Sequence, residues 1–394
     1  MQGLPVKALF VVPYPTEAPS NRLRVEQYFP YLEKHGVEIE LRPFMSSDLY
    51  NIRHAPGSMI RKVASLGFST LSRFMDIQRA EHADVTFVHR EAFPVGGPFI
   101  EEKLAAAGPP MVFDFDDAIY LLNTGLASRT VGLLKRPSKT ARIVNLSTTV
   151  IAGNENLKAY ASDYNRNIVV IPTPVDTSRF VPRTGPRPGS DRKVVIGWQG
   201  SNTTAPYLRM VGDALAEVTR RYPQVEVQAI GGSYVPPVSP ALTVRRWSLA
   251  RELEDLHGFD IGIMPMPDTE WTRGKCGFKA LLYMACGVPP VCSPVGMTTD
   301  IVQDGQNGLL ATTTEEWIEK LSLLVENPEL RRQMGEAGRT TVEEKYSLTT
   351  HAPRFLETLQ KTAELGRWRR RSRGRIYSPQ WAAQVQTQAQ AARG

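Results

Sequence analysis

The sequence predicts an α/β protein of two doubly wound, Rossmann-like domains that face each other across a cleft. Three observations carry that reading. The chain has 394 residues, too many for one ordinary hydrophobic core. Short apolar runs alternate with helical patterns, the signature of parallel strands covered by helices. The alternation restarts after "DTSRFVPRTGPRPGSDRK", whose Pro, Gly and charge read as a linker. The expected domains are 1–185, with residues 350–394 packing back onto it, and 186–349.

In the first half "KALFVVPY" reads as a strand and "RLRVEQYFPYLEKHG" as an amphipathic helix stopped by Gly36. "VEIELRPF", "DVTFVHRE", "PMVFDFDD", "TTVIAGN" and "NIVVIPT" continue the strands. "KVVIGWQG" opens the second series, followed by a helix from about Pro206 to Arg221 and the strands "VEVQAIGG", "LTVRRW", "FDIGIMPMP" and "VPPVCSPVG". Such sheets bind ligands at the carboxyl ends of their strands, so the residues just after each strand are the candidates for function.

Hydrophobic content of 42% and charged content of 22% are those of a soluble globular protein. No run approaches the roughly 20 apolar residues of a membrane span, and the opening "MQGLPVKALFVVPYP" reads as a strand rather than a signal peptide. Cys276, Cys286 and Cys292 lack zinc-like spacing, which implies neither disulfides nor a structural metal and fits a reducing cytoplasm. The net charge of +7 is concentrated in "GRWRRRSRGR". That segment reads either as a solvated tail or as a contact with an anionic surface, membrane lipid rather than nucleic acid because no nucleic-acid motif accompanies it. The final "WAAQVQTQAQAARG" reads as floppy.

Between residues 258 and 310 a loop with Gly274 and Gly277 leads into the helix "FKALLYMACG", which Gly287 stops. Exposed N–H groups at the start of that helix, with Lys275 and Lys279, suit an anion; spacing alone equally fits an ordinary connection with surface lysines. In "IGWQGSNTTAPYL", Gly197, Gly200 and Ser201 read as a strand-to-helix turn, with Ser201 or Asn202 as helix cap and Thr204 near the helix start. In the first half Arg22 and Arg24 open a helix, where they oppose its dipole and call for a diphosphate or an internal carboxylate. His89 ends a strand as an acid/base candidate or a structural residue. "MVFDFDDAIY" raises the question of a metal held by Asp-x-Asp. Strand geometry instead separates Asp114 and Asp116 from Asp117: Asp117 caps a helix from Ala118, and Asp114 needs a partner such as His89 or Arg90.

"YMACGVPPVCSPVG", "DIVQDGQNGLL", "ENPELRRQMGEAGRTTVEEKYS" and "VIPTPVDTSRF" resemble the donor-binding half of GT-B glycosyltransferases, in particular glycosyltransferase family 4. The resemblance is strong over about Val194 to Ser347 and weaker but continuous before it. It implies retaining transfer of a sugar from a nucleotide-diphosphate donor on the second half to a glycan, lipid-linked or small-molecule acceptor on the first, with no cofactor and no metal. Together with the residue readings above, it gives donor binding as Gly197, Gly200, Ser201, Asn202, Asp268, Glu270, Gly274, Lys275, Cys276, Gly277, Phe278 and Lys279, and Asp116, Arg22, Arg24 and His89 as the catalytic candidates. Asp116 stands where the family places a His.

Two departures matter. The family's paired glutamates fall at Gly274 and Leu282, so both carboxylates are missing, leaving Asp268 and Glu270 as candidates to replace one of them. Its basic residues after the first strand of the second half are also absent, and Lys275, Lys279 or Arg273 is expected to balance the donor's charge. A sugar-nucleotide epimerase and a non-catalytic sugar-nucleotide-binding subunit are the alternatives. The resemblance also implies that a helix near Ala352 to Leu365 crosses back to the first half.

Overall fold

The computed structural model describes residues 5–52, 57, 59–94, 96–121, 138–185, 193–232 and 235–376, the last nine by backbone alone. The Gln/Ala-rich segment and residues 186–192 of the linker lie outside them.

Two parallel six-stranded sheets build the molecule. The first comprises β1 (Val6–Val12), β2 (Val37–Pro43), β3 (Val85–His89), β4 (Met111–Phe115), β5 (Thr149–Ala152) and β6 (Ile168–Val170), ordered β2-β1-β3-β4-β5-β6. The second comprises β7 (Val194–Gln199), β8 (Val225–Ile230), β9 (Leu242–Arg245), β10 (Ile261–Met264), β11 (Pro290–Cys292) and β12 (Leu309–Leu310), ordered β12-β11-β10-β7-β8-β9. The central strands are buried apart from Lys7 of β1, because helices cover both faces of a parallel sheet. In each sheet the order reverses beside the first strand of its series, so the carboxyl ends of β1, β3 and β4 form one lip and those of β7 and β10 the other.

Each sheet carries an apolar core on either face. In the first half one core joins Phe10, Tyr28 and Phe87 to Phe355 and Leu359, and the other gathers Leu9, Phe113, Phe115 and Leu157. Phe355 belongs to the helix Leu348–Ile376 and stacks on Tyr28 at 4.2 Å, which brings that helix against the first half. The basic segment read as a tail continues this helix to Ile376, and Arg367 pairs with Asp84 at 3.0 Å. In the second half Tyr283 and Phe259 anchor one core, Trp198 and Trp317 the other.

Two local expectations are corrected. The helix expected to begin at Arg22 starts earlier, at Pro19, because a proline's fixed φ suits the first helical turn. Arg22 and Arg24 therefore close the short helix Pro19–Arg24 and complement its dipole rather than oppose it. A 3₁₀ turn, Glu26–Tyr28, then separates it from the helix Phe29–Lys34. Gly197 lies inside β7 rather than at a turn: a Cβ there would sit 2.0 Å from the Phe259 ring, so this glycine makes room for an aromatic and not for a phosphate.

Candidate active site in the cleft

The β3–β4 register pairs His89 with Asp114 at the carboxyl end of the first sheet. Both are fully buried, and His89 Nδ1 lies 2.7 Å from an Asp114 oxygen. Arg24 reaches the same carboxylate from the helix Pro19–Arg24, with Nη2 at 2.7 Å and Nε at 3.1 Å. Its Nη1 donates to the Ile171 carbonyl at 2.7 Å. Burial would lower the guanidinium's pKa, but Asp114 more than reverses that. On the far side of the imidazole, Ser20 Oγ stands 3.1 Å from Nε2. Asp114 thus has His89 as expected, and Arg24 where Arg90 was the alternative.

Arg90 serves the other two aspartates. Its Nε donates to Asp116 and its Nη2 to Asp117, each at 2.7 Å. Its backbone is left-handed at φ 57°, a conformation unfavourable for a side chain of this size, and the two carboxylates hold it there. Burial alone would push the Asp116 carboxyl up, but Arg90, backed by His89 and Arg24, holds it well below the usual range. Asp116 is therefore a permanent anion beneath a guanidinium. Asp117 does not cap a helix, since the chain turns at Ile119 and Tyr120; it accepts instead from Arg90 and, at 3.3 Å, from Lys275.

Lys275 belongs to the other half, and the segment around it forms the seam. Asn154 Nδ2 donates to the carbonyls of Gly274 and Lys275, and the Cys276 thiol donates to the Asp116 carbonyl at 3.2 Å. The backbones meet closely: a Cβ on Gly274 would fall 2.7 Å from that of Ala118, and one on Gly153 would fall 2.5 Å from Cys276 Sγ. Gly277, left-handed at φ 62°, turns the chain into the helix Phe278–Ala285. At the helix's second residue, Lys279 Nζ donates to Thr204 Oγ1 at 2.9 Å and lies 4.8 Å from the centre of the Trp198 ring. Among the described residues no carboxylate pairs with it. Burial, with Lys275 adding, pushes its pKa down to about 7. A lysine held like this lacks an anion.

A second cation with unused capacity comes from the first half. Arg22 lies over Trp247 at 5.6 Å and donates from Nη1 to the Thr16 carbonyl at 3.3 Å. Its Nε and Nη2 are buried without a protein partner. Burial lowers its pKa, against the pull of Glu252. That buried carboxylate binds Arg179 at 2.7 Å and accepts from the Trp247 indole at 3.2 Å.

Residues 269–341 match the family model described as Glycosyl transferases group 1. A 65-residue stretch is 42% identical to an uncharacterized glycosyltransferase of Methanocaldococcus jannaschii, covering 16% of this chain and 18% of that protein. An 87-residue stretch is 30% identical to a trehalose synthase of Pyrococcus horikoshii, covering 22% of this chain and 21% of that one. The matched stretches thus span about a fifth of these relatives. Over whole chains the structure superposes on a sucrose-phosphate synthase of Thermosynechococcus elongatus at a TM-score of 0.66 and 15% identity, covering 91% of this chain and 99% of that one. The fold is GT-B.

Placed on the GT-B frame, the expected site residues divide. Lys275, Cys276, Gly277, Phe278 and Lys279 lie together at the seam. Gly200 closes on Gly231, whose Cβ would sit 2.1 Å from its carbonyl oxygen. Ser201 is exposed, bonds Thr203, and caps no helix; Thr204 precedes the 3₁₀ turn and takes the Lys279 ammonium instead. Asn202 is in the same exposed loop. Asp268 is exposed and tied to Arg273 at 2.7 Å; Glu270, also exposed, opens the short helix Glu270–Arg273 and lies close enough to Tyr120 of the first half for its charge to add to the rise that burial gives that hydroxyl's pKa. Arg24 and His89 are engaged with Asp114 in the interior. Trp198 and the Trp247–Glu252 pair were not singled out from the sequence, Arg90 was read only as a possible partner of Asp114, and Thr204 only as lying near a helix start. The left-handed Arg90 leaves no sequence trace, and the others gain their role from neighbours distant in the chain.

Proposed function

We propose that the protein is a retaining, metal-independent glycosyltransferase of the family 4 type, working in the cytoplasm on a nucleotide-diphosphate sugar and a saccharide or lipid-linked acceptor. One observation carries the reading: Lys279, held by a hydroxyl and an aromatic face beside the start of the helix Phe278–Ala285, has no carboxylate among the described residues to neutralise it. A diphosphate supplies the missing charge. The helix N-terminus and the Nε and Nη2 of Arg22, buried without a protein partner, support the reading as donors for the charge that grows on the leaving group. Among solved neighbours, the Anabaena protein HepE, crystallised with UDP and glucose, superposes at a TM-score of 0.60 and 16% identity, covering 90% of this chain and 99% of that one. That supports a uridine donor as the first to try.

Asp116 is the first half's candidate for the reacting centre, an anion able to face a sugar that gains positive charge as its bond to phosphate lengthens. The engagement of Asp114 with Arg24 and of Asp116 with Arg90 supports a metal-free reading of the Asp-x-Asp, because guanidinium groups occupy the places a cation would take. Calorimetric titration with UDP-glucose tests the donor site. The Lys279→Met variant should lose about 1.5–3 kcal/mol of affinity, the worth of a charge-assisted bond; unchanged affinity would refute the assignment.

A second reading, a subunit that binds a sugar nucleotide without turning it over, is favoured by the two lost glutamates. Gly274 is packed on Ala118 and Leu282 is buried in the core, so neither position leaves room for a carboxylate. UDP release from UDP-glucose separates the readings. Slow release that Asp116→Asn abolishes supports the enzyme, binding without release supports the subunit, and a new sugar nucleotide formed without acceptor marks an epimerase.

A further inference from the structure

Among the described residues, the helix Met59–Ala80 is packed on one side only. Ser69, Arg73, Asp76 and Ala80 recur at helical spacing and are buried. The opposite half-turn is apolar and open: Ile60 is 88% exposed, Phe68 72% and Leu71 67%, with Phe74 and Met75 each close to half. The patch continues onto the helix Phe99–Ala106, where Phe99 meets Phe74 edge-on at 6.2 Å and Lys103 lies 5.6 Å from the Phe99 ring centre. Apolar side chains in this number on one face mark an interaction surface.

Charge decides what covers it. The sole acid in the helix is Asp76, which is buried and bound to Arg73 and Arg42. Arg61 and Lys103 stand exposed beside the apolar residues. A second copy of the chain would set cation against cation, whereas anionic headgroups complement both charges while the side chains enter the acyl boundary. Position adds to this. Arg73 donates to the carbonyls of Val12 at 2.6 Å, Ala92 at 2.7 Å and Arg42 at 2.9 Å, which lie at or just past the carboxyl ends of β1, β3 and β2. The helix is thereby pinned to the end of the first sheet that carries Arg22 and Asp116.

We propose that the apolar face of Met59–Ala80, with Phe99 and Lys103, docks the protein on an anionic lipid bilayer, at the mouth of the cleft. This places membrane contact on the first half rather than on the basic segment near the C-terminus.

Sedimentation of the full-length protein with phosphatidylcholine vesicles, with and without about a third phosphatidylglycerol, tests this. The wild type should sediment with the anionic vesicles. A Phe68→Glu/Leu71→Glu variant should bind them at least tenfold more weakly with an unchanged unfolding temperature, since both side chains face outward. Arg61→Gln/Lys103→Gln should lose the preference for phosphatidylglycerol. Arg369→Gln/Arg370→Gln/Arg371→Gln and Lys279→Met should both sediment like the wild type, the latter because docking needs no donor. A wild type that ignores both vesicles, a glutamate variant that binds as well as the wild type, or binding lost only with the three C-terminal arginines would each overturn the proposal. A wild-type dimer that the glutamate pair splits, without vesicle binding, would give the face to a second copy.

Discussion

The two lips of the cleft handle charge in opposite ways. On the first, Asp114 has Arg24 and His89, and Asp116 and Asp117 share Arg90; these charges are buried or half-buried and each is answered. On the second, Lys279 has a hydroxyl and an indole face, and Arg22 reaches over from the first lip with two nitrogens unused. A saturated network is scaffolding, costly to break and indifferent to ligand. An unsaturated cation costs the folded protein something until a ligand arrives. The contrast tells which charges to expect in binding and which in stability.

The largest effect should come from the saturated side. Asp114→Ala strands Arg24 in the interior, and chemical denaturation should show a loss of about 3–5 kcal/mol, as for other broken buried pairs. A loss below 1 kcal/mol would erase the distinction between the lips. Next is Lys279→Met, which should weaken UDP-glucose binding by about tenfold to a hundredfold while leaving the unfolding temperature unchanged or raised, since a desolvated charge has gone.

The same lysine has a pH signature whose sign differs between binding and stability. With its pKa near 7 in the free protein, Lys279 is increasingly neutral above that pH, and a diphosphate restores its proton. Donor affinity should therefore fall as pH rises above 7 and flatten below it, with proton uptake visible in calorimetry in buffers of different ionisation enthalpy. For the free protein the unfolded lysine, near its ordinary pKa, holds more protons between about pH 7 and 10 than the folded one. This group's contribution to stability thus rises with pH over that window. A Lys279→Met protein that keeps the slope of affinity would assign it to another group.

A smaller effect is expected at the seam. Gly153→Ala puts a methyl 2.5 Å from Cys276 Sγ and should cost about 1–3 kcal/mol by overpacking. Cys276→Ala should recover part of it in a double-mutant cycle, and full additivity would mean that the halves do not press together there. The smallest concerns Asp268→Asn, which removes an exposed pair with Arg273 and should change neither stability nor donor affinity measurably.

Much of the fold was legible because strand periodicity and glycine stops are local. Strands β1 to β11 follow from short apolar runs, whereas β12, two residues long, is below what a pattern can show. The helix crossing back came from resemblance, not from periodicity. In the site, the lysines and Gly277 were legible because a helix start is a local event. Gly197 was misread because a glycine does not reveal whether it makes a turn or yields to a ring from Phe259, far along the chain. Arg24 was legible as a residue in need of an anion, and the sequence left open whether that anion was ligand or protein. Its answer, Asp114, lies 90 residues away.

The helix Leu348–Ile376 has a consequence for how the chain is made. It lends Ala352, Phe355, Leu359 and Ala363 to the core of the first sheet, although that sheet's strands are complete by Val170. During synthesis, the second domain is finished before the first can close, and the order of emergence is reversed in the order of completion. An incomplete first half must wait on the ribosome with the seat of Phe355 beside Tyr28 and Phe87 open. Translation stalled before residue 348 should therefore yield nascent chains that bind chaperones through the first half while the second is already resistant to protease.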